Sequence, residues 1–464
     1  MNKLNSPICL LIALGTYFSS LSAQDMNYNL RTLDNNAALR ADTNDYKFNR
    51  AIKNIPLSAT NKAINLSIGG EIREQLRMYQ HVNYGDVDSG INDNDVYLLQ
   101  RYLLHADLRL GRHLRFFGQL NSNHATAKNT VARIDRDVVG VLQAFADINT
   151  WGRIPMRLRM GRQELSYGVE RILGTRDGAN IRQSFDGLRY TMTFKKSVAD
   201  FFVVYPMYYD FGYFDNSINK DILIYSGLWS IPVNRFGTLE LYFIGNDRKM
   251  AYCRNDSAKE NRQSFGIRLN KYSGIFYYDA EAIGQTGIYG NSPIRAWQLS
   301  VVSGLRWRDL RMEPRVQVRV AGASGDLDST DSKMNLFRPV TTRSPINDLI
   351  PVGFANIGIF TVEGEIRIVK GLHFGLGYYA VRRLSPNDGS YSSDVTHMVR
   401  EPDNNGIEKG IHFAKGVVSE FNYTASKHFN ILLLMGYFVP GNYVSNTGEG
   451  KTQSASSLKV TYRF

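Results

Sequence analysis

Cysteine is nearly absent, with two in 464 residues, which excludes a disulfide scaffold and any cysteine-rich zinc module. Long apolar runs are missing too. No stretch approaches the ~20 continuous apolar residues of a helical membrane span. Proline is scarce at 13, whereas glycine (40) and tyrosine (27) are plentiful. With 43% hydrophobic and 12% aromatic residues, the chain is too apolar to be disordered. The 55 Lys and Arg outnumber the 43 Asp and Glu, giving a net charge of +12. Length alone favours two or three soluble domains; the residue pattern argues for one large domain.

The first 23 residues read as a secretory signal. Lys3 supplies the charge, and Ile8 to Phe18 form an apolar run too short to span a bilayer. Ser19, Ser20, Ser22 and Ala23 precede a cleavage point before Gln24, with Leu21 a mediocre residue three places upstream. Cleavage removes Cys9 and leaves Cys253 alone. Residues 24–65 are polar and weakly periodic, and are expected to form a loosely held periplasmic arm.

From residue 66 to 464 the recurrent signal is period-two alternation, the mark of strands. Leu66, Ile68, Ile72, Leu76 and Met78 oppose Ser67, Glu71, Arg73, Gln75 and Arg77. Val316, Val318 and Val320 likewise oppose Arg315, Gln317 and Arg319. At the C-terminus Leu458, Val460, Tyr462 and Phe464 share one face. A closing strand with an apolar face ending on Phe suits an outer-membrane barrel; as a soluble edge it would invite aggregation. Connections alternate short and long. Short ones include Gly111–His113, Lys195–Ser197, Lys271–Gly274 and Val369–Gly371, and long ones lie near 79–96, 124–139, 161–187, 206–220, 246–261, 286–293, 324–355, 384–413 and 440–454. The fold predicted is therefore all-β: a transmembrane antiparallel β-barrel of about eighteen strands, with short periplasmic turns and long external loops. Such a barrel is too wide for side chains to fill.

The polar strand faces carry more arginine than acid. An excess of fixed guanidinium in a narrow channel concentrates anions, and its planar fork matches a carboxylate. An internal Arg–Glu lattice that merely stiffens the wall is the competing reading. The segment from Arg162 to Asp186 holds three further arginines among glycines that permit unusual backbone geometry, and is expected to fold inward as a constriction. The candidate lumen set is Arg73, Arg101, Arg109, Arg115, Arg159, Arg162, Arg171, Arg176, Arg182, Arg189, Arg315, Arg319 and Arg367.

Three segments resemble the alginate-export porins. One runs from Asp45-Tyr46-Lys47-Phe48 through Lys53-Asn54-Ile55-Pro56-Leu57 to Leu66-Ser67-Ile68-Gly69-Gly70-Glu71-Ile72-Arg73-Glu74. A second is Gln100-Arg101-Tyr102-Leu103-Leu104-His105-Ala106-Asp107 with Arg115-Phe116-Phe117-Gly118-Gln119-Leu120. The most specific is Gly161-Arg162-Gln163-Glu164-Leu165-Ser166-Tyr167-Gly168, followed by Arg171, Arg176-Asp177-Gly178, Asn180, Arg182 and Ser184-Phe185-Asp186-Gly187. Ala323-Ser324-Gly325-Asp326-Leu327-Asp328 resembles the family's acidic loop segment. The resemblance implies an eighteen-stranded barrel whose basic channel lets a uronate polysaccharide diffuse outward. The family also includes relatives for which that substrate is not implied.

Other signals are weaker. The eight histidines lack zinc-site spacing, and Ser166 lacks the flanking glycine of a nucleophile elbow. Asp326, Asp328 and Asp331 have the chemistry to hold calcium, though a solvated acidic loop is the preferred reading. The positive charge is dispersed over strand positions, which argues against nucleic acid. The expected protein is a bacterial outer-membrane channel embedded in lipid, without cofactor or catalytic group, that passes an anionic polysaccharide. A general anion- or oligosaccharide-selective porin is the alternative, and an enzyme or adhesin barrel is the less favoured one. A periplasmic feeding partner remains open.

Overall fold

The structure is a computed structural model describing residues 32, 36–43, 45–88, 90–253, 256–328, 331–341, 349–350, 352–402 and 410–464. The expected signal segment and its cleavage point lie outside these residues.

Eighteen long strands form the wall. The first seven are β1 (Ile64–Gln80), β2 (Asp95–Leu110), β3 (Leu114–Thr126), β4 (Asp137–Thr150), β5 (Met156–Gln163), β6 (Phe185–Phe194) and β7 (Ser197–Tyr208). Next come β8 (Ile222–Pro232), β9 (Thr238–Cys253), β10 (Asp256–Lys271), β11 (Phe276–Tyr289), β12 (Ser292–Arg306) and β13 (Arg315–Ala323). The last are β14 (Ile357–Val369), β15 (Leu372–Arg382), β16 (His412–Thr424), β17 (Phe429–Pro440) and β18 (Gln453–Arg463). Each pairs antiparallel with its neighbours in sequence. The barrel closes where β18 runs beside β1, from Glu71 opposite Arg463 to Gln80 opposite Ser454.

Alternation sorts the wall into two chemically opposite faces. Leu104, Phe201, Val203, Phe265 and Leu376 point outward and stay exposed. Arg73, Arg101 and Arg268 are among the largest fully buried side chains and point inward. A water-soluble domain reverses this arrangement; a barrel in lipid requires it. At Gly161, opposite Gly187, only glycine fits. Its φ is 118°, and a Cβ there would stand 2.3 Å from the Ala144 carbonyl oxygen.

The alternation of short and long connections holds along most of the chain, with two corrections. The stretches 246–261 and 286–293, read as long loops, are mostly strand among the described residues: β9 runs to Cys253 and β10 begins at Asp256, while β11 and β12 are separated by the turn at residues 290–291 alone. Charged residues occupy alternate positions there because these hairpins extend past the apolar belt while keeping the ladder.

The described part of the arm, Thr32 and residues 36–43 and 45–65, is fastened to the barrel. Its helices α1 (Asn36–Ala41) and α2 (Lys47–Ala51) sit at the short-turn end of the barrel. Asn36 donates to Asp107 at 3.0 Å, and Arg115 donates to the Thr32 carbonyl at 2.9 Å. Buried Lys53 donates to the carbonyls of Ile68 (2.7 Å) and Phe464 (3.2 Å). Asp45 meets His428 at 2.6 Å and Lys427 at 3.0 Å. These contacts tie the arm to the first strand, the last strand and the β16–β17 turn.

Candidate functional site in the lumen

The segment between β5 and β6, residues 164–184, leaves the wall and folds into the barrel. Arg73 of β1 donates to the Asp177 and Ala179 carbonyls at 2.8 and 3.0 Å. Arg101 of β2 reaches the Asp177 carboxylate at 2.7 Å and the Asn180 carbonyl at 2.8 Å. Asn123 of β3 also donates to the Asn180 carbonyl, at 2.8 Å. The Asn180 side-chain amide nitrogen contacts the carbonyls of Gln100, His124 and Asp135 at 3.1, 3.0 and 2.7 Å.

Across the lumen this segment meets a second one, 331–341, which precedes β14. Val340 and Thr341 both donate to the Ile172 carbonyl, and the Gly174 amide donates to the Thr341 hydroxyl. The second segment is fastened to the opposite wall, where Arg262 of β10 donates to the Leu336 carbonyl and Gln285 of β11 to that of Arg338. Leu165, Ile172 and Leu173 share one apolar cluster with Leu336, Phe337 and Phe354. The two loops thus form a bridge with an apolar centre inside a barrel whose inner wall is charged.

Many wall arginines share a carboxylate with others. Asp147 faces Arg159 at 2.7 Å, Arg115 at 3.7 Å and Arg157 at 4.0 Å. Asp177 faces Arg101, Arg182 and Arg73 at 2.7, 3.6 and 3.8 Å. Glu260 faces Arg338 at 3.0 Å and Arg262 at 3.2 Å. These clusters hold the wall together, and arginines are shared as well: Arg115 also meets Asp107 at 2.7 Å, Arg101 meets Glu71 at 3.5 Å, and Arg268 meets both Glu240 and Asp279. Arginine outnumbers acid most clearly around Glu260, and around Asp107 and Asp147, which together face Arg109, Arg115, Arg157 and Arg159.

Titration at the constriction follows the same geometry. Burial alone would raise the Asp177 carboxyl, but Arg101, Arg182 and Arg73 outweigh it and hold the group well below the usual range. Glu164 lies 2.7 Å from Arg182. Burial nevertheless pushes its carboxyl up to about 7, since Asp177 repels its charge while Arg182 opposes the rise.

Most of the sequence-derived set faces the lumen. Arg73, Arg101, Arg115, Arg159, Arg189, Arg315 and Arg319 are inward, and Arg189, Arg315 and Arg319 pair with Asp200, Glu365 and Glu363. Arg109 is inward and partly exposed beside Asp107. Arg367 lies at the short-turn mouth, against Glu313 and the Arg311 carbonyl. Arg171, Arg176 and Arg182 ride on the infolded segment. Arg171 stacks over Phe354, and Arg182 binds Glu164.

Arg162 corrects the expectation. The register places it beside Ala144 on β4 and Asp186 on β6, positions that face outward. Two bonds of 2.9 and 3.1 Å join it to Asp186 on the outer wall. The strand parity that turns Arg157 and Arg159 inward turns Arg162 out.

The acidic trio also separates. Asp326 is buried, and its amide donates to Asp388 at 2.7 Å, while Asp331 faces Lys333 at 3.5 Å. Among the described residues no group of three or more His, Cys, Asp or Glu is placed to hold a metal. Sequence reasoning passed over Arg248, Arg262 and Arg338. Arg248 and Arg262 kept their period-two spacing inside or beside a stretch read as loop. Arg338, within an irregular loop, gave no signal.

A closed eighteen-strand barrel with a charged inner face and an infolded loop between strands defines a porin-type channel fold. The chain belongs to the alginate export family, whose model matches residues 64–456. Solved structures with the same fold include a BenF-like porin from Pseudomonas fluorescens Pf-5 at 12% identity, covering 86% of this chain and 98% of that one, with a TM-score of 0.58. Pseudomonas aeruginosa OccK2 (OpdF), solved in complex with glucuronate, matches at 12% identity, the same coverages and a TM-score of 0.55. Pseudomonas aeruginosa OpdK with vanillate matches at 9% identity, the same coverages and a TM-score of 0.54. No curated protein matches the chain.

Proposed function

We propose that the protein is an outer-membrane channel through which uronate-bearing saccharides pass passively, guided by the arginine surplus of the lumen. The sharing of acids carries this reading. Where Glu260 faces Arg262 and Arg338, and where Asp107 and Asp147 together face Arg109, Arg115, Arg157 and Arg159, the wall keeps a positive potential that attracts carboxylates. Membership of the alginate export family supports a uronate polymer as cargo. In this reading the short turns face the periplasm and the long loops face outward. The proposed contact residues are the inward members of the candidate set together with Arg248, Arg262 and Arg338; Arg162 is excluded.

A second cargo reading has its own observation. The bridge between residues 172–174 and 340–341 crosses the lumen, which favours short anionic solutes over an extended polymer. OccK2, a barrel of the same fold, was solved with the monomeric uronate glucuronate. Single-channel recording in planar bilayers distinguishes the possibilities. Uronate oligomers should block current in a length-dependent way, and neutral oligomers of equal length should not. Equal block by both would refute charge-guided passage, and block by monomer alone would favour the small-solute reading.

A further inference from the structure

The arm touches one of the arginine clusters of the lumen. Asp107 Oδ2 accepts from Arg115 at 3.1 Å and from Arg109 at 3.2 Å. Asn36 of α1 donates to the same oxygen at 3.0 Å. Arg115 Nη2 also donates to the Thr32 carbonyl at 2.9 Å. A main-chain oxygen of the arm thus occupies a lumen guanidinium where a cargo carboxylate would bind. At its other anchor the arm grips the β16–β17 turn. Lys427 meets Asp42 at 2.5 Å and Asp45 at 3.0 Å, and His428 meets Asp45 at 2.6 Å. The anchors span the short-turn end from that turn, past the seam, to β3.

Two features make this fastening releasable. Among the described residues between 36 and 51, the buried ones are Asn36 and Asn49, both polar. Tyr46 and Phe48 are 69% and 65% exposed. Undocking therefore uncovers no apolar core, and water can replace the polar bonds that are lost. Asp107 keeps Arg109 and Arg115 after release, so no buried charge is left alone. The second feature is a fixed hinge. Leu57 donates to the Ile64 carbonyl at 3.0 Å, Ile55 pairs with Leu66, and Ile68 donates to the Ile52 carbonyl at 2.8 Å. Residues 52–57 thereby extend the ladder on the β1 edge where β18 has ended. They stay in place while the residues before them let go.

We propose that residues 32–51 are an autoinhibitory strap at the short-turn mouth, held on Asp107 and Arg115 and displaced by the carboxylates of arriving saccharide. The proposal rests on the charge-guided reading above and adds its regulation. A carboxylate brings two charged oxygens to Arg115 and the partly exposed Arg109, whereas the Thr32 carbonyl offers one neutral oxygen. The strap offsets that disadvantage through its tether, which keeps it at high effective concentration beside the site. Sparse cargo therefore leaves the mouth strapped. Cargo accumulating on the short-turn side opens it.

Single channels in potassium chloride test the strap. Wild-type channels should switch between a low and a high conductance level. In the Cys253→Ala background, Asp42→Cys and Lys427→Cys bridged by a reducible bis-thiosulfonate should stay at the low level, and reduction should restore switching. Removing residues 32–51 should hold the high level. Asp42→Asn with Asp45→Asn, which loosens the strap without shortening the chain, should raise high-level occupancy several-fold. Uronate oligomers added on the short-turn side should do the same in the wild type, and neutral oligomers should not. Equal conductance and gating in bridged, wild-type and shortened barrels, all heat-modifiable, would overturn the strap. The expected gating with no response to uronate would overturn displacement by cargo. Block of the shortened barrel by uronate from the long-loop side tests charge-guided passage separately, so failure of that reading and failure of the strap are distinguishable.

Discussion

Asp177 and Glu164 flank the same guanidinium, that of Arg182, at 3.6 and 2.7 Å, and titrate in opposite directions. Asp177 has three arginines to offset its burial, and Glu164 relies chiefly on one. Because the folded value of Asp177 is depressed, its contribution to holding the loop is present above the ordinary carboxylate range and is lost only as pH falls well below it. Glu164 behaves the other way. Its folded value is raised to about 7 from 4.5, so the docked loop is favoured below the ordinary value and loses that advantage as pH rises toward 7. Protonating Glu164 also removes a negative charge from the constriction. Anion preference, read as reversal potential across a salt gradient, should therefore increase as pH falls from 8 to 6. Glu164→Gln should hold the low-pH preference throughout, and a pH step of the same size in that variant would contradict the assignment. Asp177→Asn removes one carboxylate shared by Arg73, Arg101 and Arg182, while Arg101 keeps Glu71 and Arg182 keeps Glu164, so docking of the loop should weaken by less than the about 3–5 kcal/mol of a buried charge left with no partner. Hydrogen exchange in residues 164–184 should rise several-fold or more while the strands stay protected.

The strands were the most legible elements, since a lipid-facing barrel needs alternating faces and the sequence alternates nearly throughout. Leu66 to Met78 and Val316 to Val320 announce which side is which. Loops were less legible, because period two continues wherever a hairpin stays paired beyond the membrane. Asn246, Arg248, Glu260 and Arg262 all belong to the ladder between β9 and β10. The site was half legible: density of Arg and Gly marked the infolded segment, but its docking partners come from β1, β2, β3 and a distant loop, which no local pattern encodes. The consequence is testable at this scale. Deleting Glu170–Asn180 removes Asp177, Asn180 and the strap to Thr341, yet touches no wall strand. Single-channel conductance should rise several-fold and block by uronate oligomers should weaken, with heat-modifiable migration retained. A folded deletion variant with unchanged conductance would place the narrowest point elsewhere in the lumen.

For the whole molecule, the net charge of +12 matters only through where it is uncompensated. Paired arginines such as Arg159 on Asp147 and Arg319 on Glu363 hold the wall in shape, and neutralising them exposes buried acids. Arg176 and Arg248 differ. Neither forms an ion pair among the described residues, and Arg248 is satisfied by the Asn246 amide oxygen at 3.1 Å once that amide is oriented toward it. Their charges act on the lumen at long range without fixing the wall. The wild-type pore should therefore prefer anions, most strongly at low salt, because a Debye length of roughly 30 Å at 0.01 M shrinks to about 10 Å at 0.1 M. Arg176→Gln combined with Arg248→Gln should lower that preference at 0.01 M salt and leave thermal unfolding unchanged. Arg159→Gln and Arg319→Gln should instead lower the unfolding temperature and alter selectivity less per charge removed. If the paired and unpaired variants shifted selectivity equally with equal loss of stability, the lumen potential would come from the wall as a whole, and the division into structural and steering arginines would fail.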